Sequence, residues 1–207
     1  GIEMRADMPS HLPLSQPFNM PPYNYPGTES VGSIPGGVVE WVLVELRDAA
    51  SAASATPSTS IARQAAFILQ DGSVVGLDGA SDLEFSVPVS FNLYVVLWQR
   101  NHISVMSNYA VTQSGGLYSY NFSSGANQAY GGVNGHKEIA PGVWGLFSGD
   151  GNRDGSIGAG DKSSDWDNEA GSSGYLTSDY NLDAQSNNID KDDYWVPNMG
   201  TSSQVPN

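Results

Sequence analysis

The feature that most restricts this chain is a repeat near its end. Asp150-Gly-Asn-Arg-Asp-Gly-Ser-Ile-Gly-Ala-Gly-Asp161 is followed 29 residues on by Asp179-Tyr-Asn-Leu-Asp-Ala-Gln-Ser-Asn-Asn-Ile-Asp190, and Trp166 recurs at the same interval as Trp195. An interval kept by both ends of a loop and by a tryptophan beyond it marks one structural unit present twice. In the first copy Asp150, Asn152 and Asp154 place side-chain oxygens at loop positions one, three and five. Gly155 permits a sharp turn at six, Ser156 offers its carbonyl at seven, Ile157 is an apolar anchor at eight, and Asp161 closes the loop at twelve. Hard oxygens at this spacing suit calcium, which takes them at roughly 2.3 to 2.6 Å. The second copy offers Asp179, Asn181, Asp183, Gln185 and Asp190 in the same roles, so two ions are expected. It departs at two positions, where Ala184 replaces the turn glycine and Ser186 stands in place of Ile157.

After each closing Asp, the runs Asp161-Lys-Ser-Ser-Asp-Trp166 and Asp190-Lys-Asp-Asp-Tyr-Trp195 predict short helices whose acidic starts suit exposed backbone N–H groups. Trp166 and Trp195 are expected to form the core of a compact two-loop unit. Charge points the same way. The chain has 22 acidic and 8 basic residues, a net charge of -14, and an acidic surplus falls within 150–195, which would repel itself without cations. The same surplus excludes nucleic acid as a partner, because phosphates are not neutralised in number. With no cysteine, neither a thiolate metal site nor a disulfide framework exists. An extracellular or cell-surface location is therefore expected from the calcium loops alone, since calcium is abundant there. No apolar run is long enough for a transmembrane segment, and no signal peptide is recognisable within the 207 residues.

Upstream, the pattern is β. Residues 1–30 carry Pro9, Pro13, Pro17, Pro21, Pro22 and Pro26 with Phe18, Tyr23 and Tyr25 between them, which predicts an ordered coil laid over one end of the core. Val38 to Arg47 reads as a core strand, Ile61 to Leu69 as a second, and Gln70-Asp-Gly-Ser73 as the turn into Val74-Val75. Further strands are predicted at Leu83–Phe85, Phe91–Gln99, His102–Val111 and Gly116–Phe122, with a short polar break at Arg100-Asn101. Residues 139–147 are expected to dock the calcium unit. Successive strands without an amphipathic helix between them predict a mainly β protein, an antiparallel immunoglobulin-like β-sandwich over 1–147, followed by the tandem loop unit over 148–200 and a linker or tail over 201–207.

The loops over Asp150 to Trp195 resemble a dockerin-type calcium repeat, with the Asp-x-Asn-x-Asp-Gly-x-Ile core and Asp at position twelve. This closing Asp is shorter than the Glu of the general EF-hand pattern. More widely, His11-Leu-Pro-Leu-Ser-Gln-Pro17, Tyr25-Pro-Gly-Thr-Glu-Ser-Val31, Val39 to Asp48, Leu93-Tyr-Val-Val96, Arg100-Asn-His-Ile-Ser-Val-Met106 and Ser119-Tyr-Asn-Phe122 are similar to a C-terminal region of large secreted Bacteroidota proteins. That region precedes the type IX secretion sorting domain and accompanies adhesins and polysaccharide-active enzymes. The resemblance implies secretion, a calcium unit integral to the β domain, and a cohesin-like or other cell-surface protein partner. It also implies a hydrophobic strand before Met4 to Leu14 that this sequence lacks, hence an open sheet edge, self-association by strand donation and assembly into a filament. Ser202-Ser-Gln-Val-Pro206 resembles the linker before a sorting domain.

An enzyme is not expected. His11, His102 and His136 lie in separate regions, and no zinc-helix, phosphate-loop or nucleophile-elbow motif is present. Glu40 and Glu45 have an odd separation, which places them on opposite faces of a regular strand rather than as a glycosidase pair. For a glycan ligand the candidate aromatics are Tyr23, Tyr25, Trp98 and Tyr109; a solvent-facing row of these rings is what that function needs. The function read from the sequence is a non-catalytic, calcium-stabilised structural or adhesive module, with a filament subunit and a carbohydrate-binding accessory module as the alternatives.

Overall fold

The computed structural model describes residues 3–207. Its centre is β1 (Val38–Ala49), whose side chains are almost all buried. β-branched and aromatic residues at both even and odd positions demand cover on both faces of a strand. β1 pairs antiparallel with β2 (Ser60–Leu69) on one side and β4 (Asn92–Trp98) on the other. The short strands β3 (Val74–Val75) and β5 (Val105–Met106) complete one curled sheet in the order β3-β2-β1-β4-β5. Register sets the faces: Trp41 opposes Phe67, and Leu43 lies between Ala65 and Trp98. Val42, Val44 and Leu46 point to the other side with Ala66, Leu93 and Leu97.

The proline-rich segment, expected over one end of the core, covers the Trp41 face of the sheet. Met8, Leu12, Phe18, Tyr23 and Tyr25 are buried there against Trp41, Leu43 and Phe67. Trp41 Nε1 donates to the Pro13 carbonyl at 2.8 Å, and the Phe18 and Tyr23 rings meet edge-on at 5.0 Å. Tyr23 and Tyr25 are thus core residues, Trp98 is half-buried and only Tyr109 of the four is exposed, so these rings form no solvent-facing row. On the opposite face lies a segment predicted as a strand that makes no ladder. Leu83, Phe85, Val87 and Val89 turn inward onto the Val42 face while Glu84, Ser86 and Pro88 face solvent. The period of two is obeyed through side-chain packing, and Pro88 lacks the N–H a ladder needs. His102–Val111 likewise yields only β5, and the chain then forms two small hairpins. β6 (Thr112–Ser114) pairs with β7 (Leu117–Ser119), and β8 (Lys137–Ala140) pairs with β9 (Val143–Gly145).

Two short helical segments follow near the C-terminus. The first runs through Ala159–Asp161, Lys162–Trp166 and Asp167–Glu169; the second through Asp190–Trp195 and Val196–Asn198. The residues after it, predicted to be a linker, return to the β domain. Val205 is buried beside Tyr94, Val96 and Met106. Arg47, itself buried, donates from Nε to Glu45 at 2.8 Å and from Nη1 to the carbonyls of Ala55 and Pro206. A guanidinium taken out of water needs its donors satisfied, and the returning tail supplies one acceptor.

If the proline-rich segment is part of the core, Phe18→Ala will lower unfolding stability by about 3 kcal/mol or more in denaturant titration. A loss below about 1 kcal/mol would show that the segment merely lies on the surface.

Candidate metal centre

The two loops share one hydrogen-bond pattern, position by position. Asp150 Oδ2 accepts from Gly155 N–H at 3.1 Å, and Asp179 Oδ2 from Ala184 N–H at 3.0 Å. Asn152 and Asn181 accept from the amides of Asp154 and Asp183, which accept in turn from those of Ser156 and Gln185. The closing carboxylates reach back. Asp161 accepts from Asn152 and Gly158, and Asp190 from Asn181 and Asn187. The backbone repeats as well, with Arg153 and Leu182 at position four and Gly155 and Ala184 at position six all at positive φ.

Both departures in loop two have a tertiary cause. Ala184 takes the left-handed turn at φ 66°, which costs a side-chain-bearing residue about 1 to 2 kcal/mol, and its methyl is buried in the core beneath the Trp41 face. Gly155, by contrast, has only Ser203 Cβ near the place a methyl would occupy. Ile157 packs with Ile103, Tyr180 and Trp195. Its counterpart Ser186 is fully buried among polar groups, 2.7 Å from the hydroxyl of Ser178, which also donates to Glu169 of the first helix.

Each loop is held by the other half of the repeat. Loop one bridges the chain after the second helix, Ser156 opposite Ser202, and loop two bridges the chain after the first, Gln185 opposite Ser173. The bridge bonds use the N–H and C=O of Ile157 and Ser186 and the carbonyls of Gly155 and Ala184. They therefore leave the position-seven carbonyls of Ser156 and Gln185 out of the ladder. The tryptophans cross over in the same way: Trp166 Nε1 donates to Asn187 O at 2.8 Å, and Trp195 Nε1 to Gly158 O at 3.1 Å. These are position nine of the opposite loop. Trp195 is buried as expected, whereas Trp166 is half-buried with Lys162 and Lys191 over its ring.

The β domain enters this unit through three residues, the polar break Arg100-Asn101 and His102, the first residue of the next predicted strand. The carbonyl of Asn101 accepts from Gly149 and Asp150 at the entrance of loop one. Its side-chain amide donates to Thr177 O at 3.0 Å and Asp179 O at 2.7 Å at the entrance of loop two. Arg100 donates to Glu40 at 2.7 Å and approaches Asp179 at 3.8 Å. His102 forms an isolated bridge with Ser148, and its Nδ1 faces Gln99 and Asn101. Burial first, and the adjacent guanidinium second, hold its pKa down at about 3. The one signal for this junction was a run of polar residues abruptly ending an apolar strand.

The opening and closing carboxylates of both loops are buried. Asp150 is 5% exposed and Asp161, Asp179 and Asp190 are fully buried. Burial, then the charge of Asp161, pushes Asp150 up to about 7; burial, opposed by Arg100, does the same to Asp179. Asp150 Oδ1 is enclosed without any hydrogen-bond partner. Among the described residues, no three His, Cys, Asp or Glu side chains make a metal-holding cluster by themselves. The oxygens these loops offer come partly from Asn152, Asn181 and the carbonyls of Ser156 and Gln185. No protein-family model, curated protein or solved structure matches this chain.

Replacing Asn101 with Ala removes the donor to the buried Asp179 carbonyl and the half-buried Thr177 carbonyl, and Asn101→Ala is expected to cost about 1 to 3 kcal/mol in denaturant unfolding. An unchanged midpoint would disprove the junction. Gly155→Ala should cost about 1 kcal/mol for the strained turn, more than Ala184→Gly, where relief of strain offsets the lost methyl; equal effects would contradict this account of the asymmetry.

Proposed function

We propose that the C-terminal unit binds two calcium ions in dockerin-like loops, and that the protein is a non-catalytic, calcium-stabilised structural or adhesive module working outside the cell. The observation that carries this reading is the orphaned, buried oxygen of Asp150 beside the buried carboxylate of Asp161 in a loop that contains no paired base. An ionised carboxylate left uncompensated away from water costs several kcal/mol. A divalent cation relieves that cost, and Asp150, Asn152, Asp154, Asp161 and the Ser156 carbonyl are the groups to hold it. Asp179, Asn181, Asp183, Asp190 and the Gln185 carbonyl are their counterparts. The ion's chemistry here is charge neutralisation and crosslinking of the loop, since the oxygens it takes are those that fix the loop's shape. Rigidity follows, because loop one ties Asn101, in the turn after β4, to the chain after the second helix. Extracellular calcium keeps such sites filled.

A second reading, a self-assembling filament subunit, draws on the outer edge of β2. Strand pairing there begins at Phe67, so among the described residues Ile61 to Ala66 have no strand neighbour on that side. Two side chains partly cap the edge: Tyr25 donates to Arg63 O, and Ala65 N–H donates to Glu29. A strand from another copy would displace them.

Native mass spectrometry with calcium should give a monomer carrying two ions, and Asp150→Asn one. A spectrum without calcium adducts would refute the proposal, and a ladder of multimers would establish the filament reading. Acidity gives an independent check. For a carboxyl whose folded pKa is raised, the stabilising contribution is complete below the unfolded pKa near 4 and is lost as pH rises through about 7. Metal-free protein should therefore melt at a lower temperature at about pH 8 than at about pH 5, and saturating calcium should reverse that order. The same slope with and without calcium would sink the assignment.

A further inference from the structure

The two loops repeat in backbone and ligands but not in what faces their opening carboxylates. Arg100 is 4% exposed and enclosed on all sides. Its Nε donates to Glu40, its Cζ lies 4.2 Å over the Tyr175 ring, and Nη1 donates to the Leu176 carbonyl. Tyr175 completes the enclosure by donating its hydroxyl to the other oxygen of Glu40 at 3.1 Å. The remaining nitrogen, Nη2, has no hydrogen-bond partner and points at Asp179 Oδ2 from 3.8 Å. Two buried carboxylates, one from β1 and one from loop two, thus share one guanidinium. Loop one has no equivalent. Among the described residues no Lys, Arg or His forms an ion pair with Asp150, Asp154 or Asp161, and it is Asp150 that keeps the orphaned oxygen.

We propose that Arg100 is a resident counter-ion of loop two, so that the two calcium sites are unequal: loop one depends wholly on calcium, while loop two takes up calcium against the guanidinium. The inference rests on the calcium reading of the loops. Arg100 is a positioning and affinity-setting residue rather than a ligand, and Glu40 decides how strongly it leans on Asp179. The division has a structural purpose. Loop two stays docked on the sheet at low calcium through Arg100 and Asn101, and loop one is the first to take up the ion.

Isothermal titration with calcium chloride on the whole chain tests this. Wild type should show two affinities, with Asp150→Asn deleting the tighter one. Glu40→Gln frees the guanidinium toward Asp179 and should weaken the looser site. The double variant Glu40→Gln/Arg100→Gln removes both buried charges together and should tighten that site roughly tenfold or more, because a charge at this distance interacts strongly in a partly dry site. The tighter site should stay unchanged in both. Opposite shifts at one site are what a general loss of structure cannot produce, and the near-ultraviolet circular dichroism of each variant confirms its fold. Two equal sites in wild type, or shifts of the same sign in the two variants, overturn the proposal and leave the calcium reading standing. Absence of calcium binding by wild type overturns both.

Discussion

Four carboxylates sit in the dry interior of the C-terminal unit, and the rest of that unit is arranged around this charge. Asp150, Asp161, Asp179 and Asp190 have exchanged water for backbone amides. Amides stabilise a carboxylate by directed hydrogen bonds but do not cancel its charge. Among the described residues one base forms an ion pair with any of the four, Arg100 with Asp179, and it is already engaged by Glu40. The surplus negative charge is therefore a property of the folded chain, and it is what the proposed cations would neutralise.

That constraint explains why the unit is interlocked rather than a pair of independent loops. Loop one is stitched to the chain after the second helix and loop two to the chain after the first. Each tryptophan donates to the opposite loop. Neither half can relax its loop without disturbing the other. Asn101 ties the pair to the sheet at the point where the halves meet, using its carbonyl for one loop and its amide for the other. Because loop two leans on the sheet, its turn residue can be an alanine whose methyl joins the core, and its anchor can be a serine that faces Glu169 through Ser178.

The β domain shows the same economy of regular structure. A single curled sheet is covered on one face by a proline-rich coil and on the other by an extended segment that packs only through alternate side chains. The buried Glu45 and Arg47 pair draws the last residues onto β1, while Met4 bonds to Gln70 just beyond β2.

Much of this was legible from residue order. The 29-residue interval, the oxygen-bearing positions and the long apolar run of β1 are local patterns, and local patterns carry their geometry with them. A strand at Leu83–Phe85 was legible too, but neither its continuation to Val89 nor its lack of a ladder, since pairing depends on which backbone comes alongside. The sequence alone determined that two acidic loops would repeat one conformation and that β1 would be a core strand. Only the tertiary structure decided what lies against them: that Arg100 faces Asp179 while Asp150 is left unpaired, and that the proline-rich coil supplies the cover. Such contacts join residues far apart in the chain, and neither spacing nor composition encodes which of many buried groups will meet.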